Sequence, residues 1–218
     1  MLKKCFIMVF TMIFSFAASA YCITTEEIVE KIQNIYDNAV DYKADFYQES
    51  EMGTIKKVQK AVGVVHFKKK GKMYWEYKEP TQQKVISNGE KMWLYQPDIN
   101  QVQEFNYNSL ETSKAESTFL NGIGKLSDEF EIEYSGQIIK GNFLLDLKSK
   151  EKETSFKKIK MYVDTENFNI VKTITSDAYG NTNSITFENI KFNTGVEDEF
   201  FVFEVPEGVN VVKQPKSQ

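Results

Sequence analysis

The sequence contains no arginine: every one of its 27 basic residues is lysine, set against 31 aspartates and glutamates. That balance, a formal charge of −4, leaves no basic stripe to neutralise phosphates and argues against nucleic acid as a partner. It also leaves no polybasic cluster to hold the chain on an anionic membrane surface. Histidine is as scarce. His66 is the only one, on the polar face of an expected strand and beside lysines, so it is read as a surface residue without ligand partners. No Gly-rich phosphate loop, nucleophile elbow or HExxH pattern occurs, and Asp164, Asp177 and Glu188 stand unpaired near expected strand ends. A non-enzyme with no cofactor and no metal is therefore expected. Of the two cysteines, Cys5 and Cys22, the first lies in a segment expected to be removed, so neither a disulfide nor a Cys-based zinc site is anticipated. With four prolines and no low-complexity tract, repeat or Pro/Ser-rich linker, residues 21–218 are expected to form a single domain.

Residues 1–20 have the layout of a signal peptide. Lys3 and Lys4 lead, an apolar run from Cys5 to Phe16 follows, and Ala18-Ser19-Ala20 supplies small residues for cleavage. The run is shorter than the roughly 20 residues a membrane span needs. Bulky Tyr21 directly before Cys22 argues against lipid attachment there, so a soluble secreted chain is expected, with its charge moved to about −6 by loss of the two lysines.

Thr24 and Glu27 form a capping box opening a helix over 24–40, in which Ile28, Ile32, Ile35 and Ala39 recur at helical spacing. From residue 42 the period becomes two. Ala44, Phe46 and Gln48 share one face; Val65 and Phe67 alternate with His66 and Lys68; Met73, Trp75 and Tyr77 alternate with Glu76 and Lys78. Phe143, Leu145 and Leu147, then Ile159, Met161 and Val163, then Ile185 and Phe187 continue the pattern, punctuated by turns at Lys70-Gly71, Asn88-Gly89, Ser135-Gly136, Gly141-Asn142 and Gly180-Asn181. At 92–95 the phase is open, because either Trp93 and Tyr95 or Met92 and Leu94 can face inward. About eight to eleven antiparallel strands with one wet side are expected, curling towards a barrel. Ser113-Lys114-Ala115-Glu116, followed by Phe119, Leu120, Ile123 and Leu126, reads as a short amphipathic helix or a pair of turns, broken at Gly122 and Gly124. The 17 phenylalanines and 11 tyrosines, with Met73, Met92 and Met161 in strands, suit either a filled core or an adaptable apolar pocket.

Four pieces of the sequence carry a resemblance. Trp75-Glu-Tyr77 and Pro80 end one strand, Asn88-Gly89 leads to Trp93 and Tyr95, and Gln101-Val102 follows. Phe46-Tyr-Gln48 precedes them, while Asp177-Ala-Tyr-Gly180 with Ile185-Thr-Phe187, and Phe201-Val-Phe203 with Pro206 and Gly208, come after in order. The set resembles the outer-membrane lipoprotein carrier (LolA-type) family. The resemblance implies a mainly β (α+β) fold, an incomplete, unclosed antiparallel β-barrel with an N-terminal helix and short lid helices covering a hydrophobic cavity. It further implies a monomeric periplasmic chaperone that takes triacylated lipoproteins from an inner-membrane ABC transporter and passes them to an outer-membrane receptor. A cavity of this kind would be walled by Phe46, Val65, Phe67, Met73, Trp75, Tyr77, Leu145, Leu147, Met161 and Phe187 and covered by Phe119, Leu120, Ile123 and Leu126. The family's lid-closing arginine falls at Lys69, a flexible point charge in place of a planar fork. Carriage of another lipid, such as a phospholipid or glycolipid, or an envelope-stress sensor on the same half-barrel, is the alternative.

Overall fold

A computed structural model describes residues 23–106, 125–151 and 158–213. Segment 1–20, and the expected helix with Phe119, Leu120 and Ile123, lie outside the described residues. Helix α1 (Thr25–Asn38) opens on the capping box: Thr24 Oγ1 accepts from Glu27 N at 3.2 Å, and Glu27 Oε2 accepts from Thr24 N at 2.9 Å. The helix stops short of the expected residue 40, because Ala39 turns extended and Val40 N donates to Asn193 Oδ1.

The strands are β1 (Asp41–Met52), β2 (Lys57–Lys68), β3 (Lys72–Glu79), β4 (Gln83–Asn88), β5 (Lys91–Gln96) and β6 (Gln101–Asn106), then β7 (Phe130–Ile139), β8 (Asn142–Ser149), β9 (Lys158–Asp164), β10 (Ile170–Ser176), β11 (Thr182–Phe192) and β12 (Asn210–Lys213). They form one open sheet in the order β12-β6-β5-β4-β3-β2-β1-β11-β10-β9-β8-β7. The sequence of hairpins is interrupted twice: β1 and β11 pair antiparallel and join the two halves of the chain, and β12 is added at the edge beside β6.

Three expectations are corrected. There are twelve strands among the described residues, more than anticipated, and β12 pairs parallel with β6. The parallel pairing arises because the chain leaves β11, crosses the sheet and meets β6 running in the same direction. Ser135-Gly136 is no turn; it sits inside β7, where Gly136 adopts φ +72 and the register slips between Tyr134 and Ile138, a bulge rather than a reversal. His66, finally, is half-buried between the rings of Tyr74 and Phe200, at 6.2 and 4.8 Å. Burial, then the nearby Lys43, lowers its pKa.

Phe200 belongs to the segment that follows β11 and lies on the outer face. Asp41, buried at the start of β1, accepts from Thr194 N, Thr194 Oγ1 and Gly195 N at 2.7, 2.6 and 3.1 Å. Burial alone would raise the Asp41 pKa, but these donors outweigh it and hold the carboxyl below its ordinary range. Further along, Asp198 pairs with Lys68 and Lys72 at 2.7 and 2.5 Å, which brings its pKa down to about 2. A depressed folded-state pKa contributes stability above the unfolded value of 3.8 that is lost as pH falls through about 2. Amide exchange at Phe200 and Phe201 should therefore accelerate between pH 4 and pH 2, and Asp198→Asn should show the fast exchange already at pH 4. Equal protection in both proteins would show that the ion pair does not hold the segment after β11 on the sheet.

Candidate functional site

Directly paired residues on neighbouring strands point to the same face, so the register assigns every wall residue a side. Phe46 pairs with Phe187 and Gly63, Val65 with Trp75, Phe67 with Met73, Trp75 with Val85, Leu145 with Met161, and Leu147 with Ile159. Gln48 to Ile185, Ile185 to Thr173 and Thr173 to Met161 link the two halves. All ten strand residues read from the sequence as a wall thus lie on one inner face. The same register resolves β5: Leu94 pairs with Val85 and Met92 with Ser87, facing inward, whereas Trp93 pairs with Ile86 on the outer side. There Trp93 and Tyr95 pack against Phe203 at 6.1 and 5.5 Å, beneath the segment that returns from β11.

The inner face is not uniform along the sheet. Over β7–β10 it is filled. Ile28, Val29, Ile32 and Tyr36 of α1 pack on Phe143, Leu145, Leu147, Ile159, Met161, Val163 and Ile170. Leu126, at the start of α2 (Leu126–Glu129), is also buried in this cluster, tied to the helix by Leu126 N donating to Gln33 Oε1 at 3.0 Å. Leu145, Leu147, Met161 and Leu126 are therefore core in this conformation.

Over β11, β1, β2, β3, β4 and β5 the face is aromatic. Phe46 meets Trp75 at 4.9 Å and, edge-on, Tyr77 at 5.0 Å; Phe67 stands edge-on to Trp75 at 5.8 Å and stacks on Tyr42 at 4.8 Å. Trp75 and Phe187 are 6.3 Å apart. Tyr77, Val85, Met92, Ile185, Phe187 and Ile190 surround this cluster as half-buried side chains. Burial raises the Tyr42 and Tyr77 pKa values above the ordinary phenol value, so both stay neutral. Such a surface offers area, polarisable sulfur and π faces without formal charge, which suits hydrocarbon and little else.

Beyond Phe46 and Tyr77 the inner face turns polar. A recess of about 520 Å³ is lined by Gln48, Ser50, Gln59, Tyr77, Gln83 and Gln96 among others. Gln48 Nε2 donates to Asn183 Oδ1 at 2.7 Å, and Ser50 Oγ donates to the same oxygen at 2.8 Å. Gln48 Oε1 and Trp75 Nε1 are buried with no hydrogen-bond partner among the described residues. Sequence reasoning placed Gln48 on the right face but gave it no role; the clue was a glutamine in phase with Phe46 on an apolar face. A larger recess of about 1050 Å³ runs beside α1, but Glu26, Glu27, Glu30 and Asp37 line it and make it unsuited to acyl chains. Lys69, at the tip of the β2–β3 hairpin, donates from Nζ to Asp37 O in the last turn of α1 at 2.7 Å.

A model of the family described as "Outer membrane lipoprotein carrier protein LolA" matches residues 37–204. An "Outer-membrane lipoprotein carrier protein" of Pseudomonas aeruginosa is 30% identical over 188 residues, 85% of this chain and 88% of that protein. The protein of the same name in Hahella chejuensis is 24% identical over 187 residues, 85% of this chain and 88% of its own. Among solved structures, an uncharacterised conserved protein from Thermus thermophilus superposes with a TM-score of 0.57 at 11% identity, covering 87% of this chain and 98% of its own, a likeness of fold alone.

Proposed function

The chain belongs to the LolA family of outer-membrane lipoprotein carrier proteins, and from that membership we propose that it is a periplasmic chaperone for triacylated lipoproteins. It accepts them from an inner-membrane ABC transporter of the lipoprotein-releasing type and yields them to an outer-membrane receptor, shielding their acyl chains on the way. The observation that supports this reading best is the division of one inner face into a half packed by α1 and an aromatic half where half-buried Tyr77, Met92 and Phe187 rim Phe46 and Trp75.

Energetics favour such a partly occupied trough. Each buried CH₂ contributes about 0.8 kcal/mol. Complete burial of three acyl chains would exceed the limit of non-covalent affinity, near roughly −20 kcal/mol, and the cargo would never leave. Partial cover leaves transfer possible. In this reading Phe119, Leu120 and Ile123 belong to the cover, and Lys69 is the latch that holds α1 across the sheet when the carrier is empty. No basic residue occupies the last turn of α1, so the Lys69 ammonium is the cation that meets its C-terminal carbonyls there. Lys69→Met should remove about 0.3–1 kcal/mol from the closed state. Cargo then competes with a weaker latch, so a triacylated lipopeptide should bind two- to fivefold more tightly, as read by fluorescence titration. Weaker binding would mean that Lys69 supports the open state instead.

The decisive experiment incubates spheroplasts bearing a triacylated lipoprotein with the purified chain lacking residues 1–20, and counts the soluble complex. A one-to-one complex that fails to form with unacylated lipoprotein is the expected result. Absence of release, with phospholipid or glycolipid found on the protein by native mass spectrometry, would transfer the function to lipid carriage.

A further inference from the structure

The polar recess lies on the same inner face as the buried aromatic cluster, in a row that runs from hydrocarbon to hydrogen-bonding groups. Val65, Trp75, Val85 and Leu94 form one layer; Phe46, Gly63, Tyr77 and Gln83 form the next; Gln48 and Ala61 follow, then Ser50 and Gln59. A buried acceptor left unpaired costs about 1–3 kcal/mol unless something donates to it. Gln48 cannot repair this by itself, because Asn183 Oδ1 holds its amide nitrogen and so fixes where the oxygen points. The neighbouring donors do not serve it either: Ser50 Oγ is directed to Asn183. Two layers deeper, beyond Phe46 and Tyr77, the Trp75 indole N–H has no acceptor among the described residues. A ligand that satisfies both must present an N–H at the polar end and a carbonyl two layers further in, past Phe46 and Tyr77, with hydrocarbon beyond.

We propose that the Gln48–Ser50–Asn183 recess is a head-group subsite that recognises an N-acylated, peptide-linked amide, with Gln48 Oε1 accepting the amide N–H and Trp75 Nε1 donating to an acyl carbonyl. This rests on the carrier reading and deepens it. The acyl chains supply affinity, while Gln48 distinguishes an acylated amino terminus from a glycerolipid that has ester carbonyls but no N–H. Trp75 would serve both classes, since an ester and an amide each offer a carbonyl. Selectivity against a phospholipid without donor groups, such as phosphatidylcholine, would then reside in one side chain, because such a lipid leaves Gln48 Oε1 unpaired.

The test titrates the chain lacking residues 1–20 with three probes: a synthetic triacylated cysteinyl peptide, phosphatidylcholine with the same acyl chains, and palmitate. Phosphatidylcholine carries neither N–H nor O–H. Gln48→Leu should bind the lipopeptide about tenfold more weakly, one hydrogen bond to a buried acceptor, and should bind phosphatidylcholine and palmitate as well as or better than the parent. Gln48→Met, which keeps the length of the side chain, is the second variant and should behave alike should Gln48→Leu fail to fold. Unchanged lipopeptide affinity in the variants, or a parallel loss for all three probes, overturns the subsite while leaving the carrier reading intact. A parent protein that binds phosphatidylcholine but no lipopeptide overturns both.

Discussion

Phe187→Glu should abolish capture of an acylated lipoprotein while leaving the sheet folded. Phe187 pairs with Phe46 across β11 and β1 and stands 6.3 Å from Trp75, yet it is only half-buried, so in the empty protein a glutamate there can reach water. Once acyl chains cover it, the carboxylate is cut off from water among aromatic side chains and must be desolvated or protonated, at a cost of several kcal/mol. Each 1.4 kcal/mol is a factor of about ten in affinity, so a loss of roughly a hundredfold or more is expected in the release assay. Phe187→Leu, which keeps the face apolar, should retain capture within a few-fold. A Phe187→Glu protein that releases lipoprotein normally would show that the chains do not lie on this half of the sheet.

The largest effect on stability should come from Gly63→Val. A Cβ at position 63 would stand 2.0 Å from Glu76 O and 2.6 Å from Phe46 Cε1, both closer than atoms can approach. The glycine lies in β2 beside a register slip between Val62 and Gly63, where the backbone of β3 comes close and the Phe46 ring lies over the missing side chain. Because the nearest clash is with backbone rather than a movable side chain, relief requires β2 and β3 to part. A loss of about 3 kcal/mol or more is expected, which for a chain of this size lowers Tm by roughly 6–12 °C. The double variant Gly63→Val with Phe46→Ala should recover only the part due to the ring. Full recovery would place the strain in the aromatic cluster rather than in the ladder.

Much of this architecture follows from local rules. The Thr24–Glu27 box starts a helix because both partners are three residues apart, and a period of two puts Val65 with Phe67, and Met73 with Trp75 and Tyr77, on one face of their own strand whatever that strand pairs with. The ordered motifs pointed to the family for the same reason: they are short, local and in sequence.

Other features needed the third dimension. Met92-Trp93-Leu94-Tyr95 is apolar in both phases, so alternation carries no sign there; the face was decided by Phe203, more than a hundred residues later, which covers Trp93 and Tyr95 from outside. Leu145, Leu147 and Met161 have the same pattern as Phe46 and Trp75 and all are buried, yet α1 packs on the first group only, while half-buried Tyr77, Met92 and Phe187 rim the second. Periodicity reports which face a residue is on, and packing alone reports what covers that face. Likewise the bonds from Gln48 to Asn183, and from Lys69 to Asp37, join groups 135 and 32 residues apart in the chain. Polar contacts of that kind are specified by directional geometry between distant backbones, which no local period encodes, whereas the apolar face is specified by mere repetition and can be read from the amino acids one strand at a time.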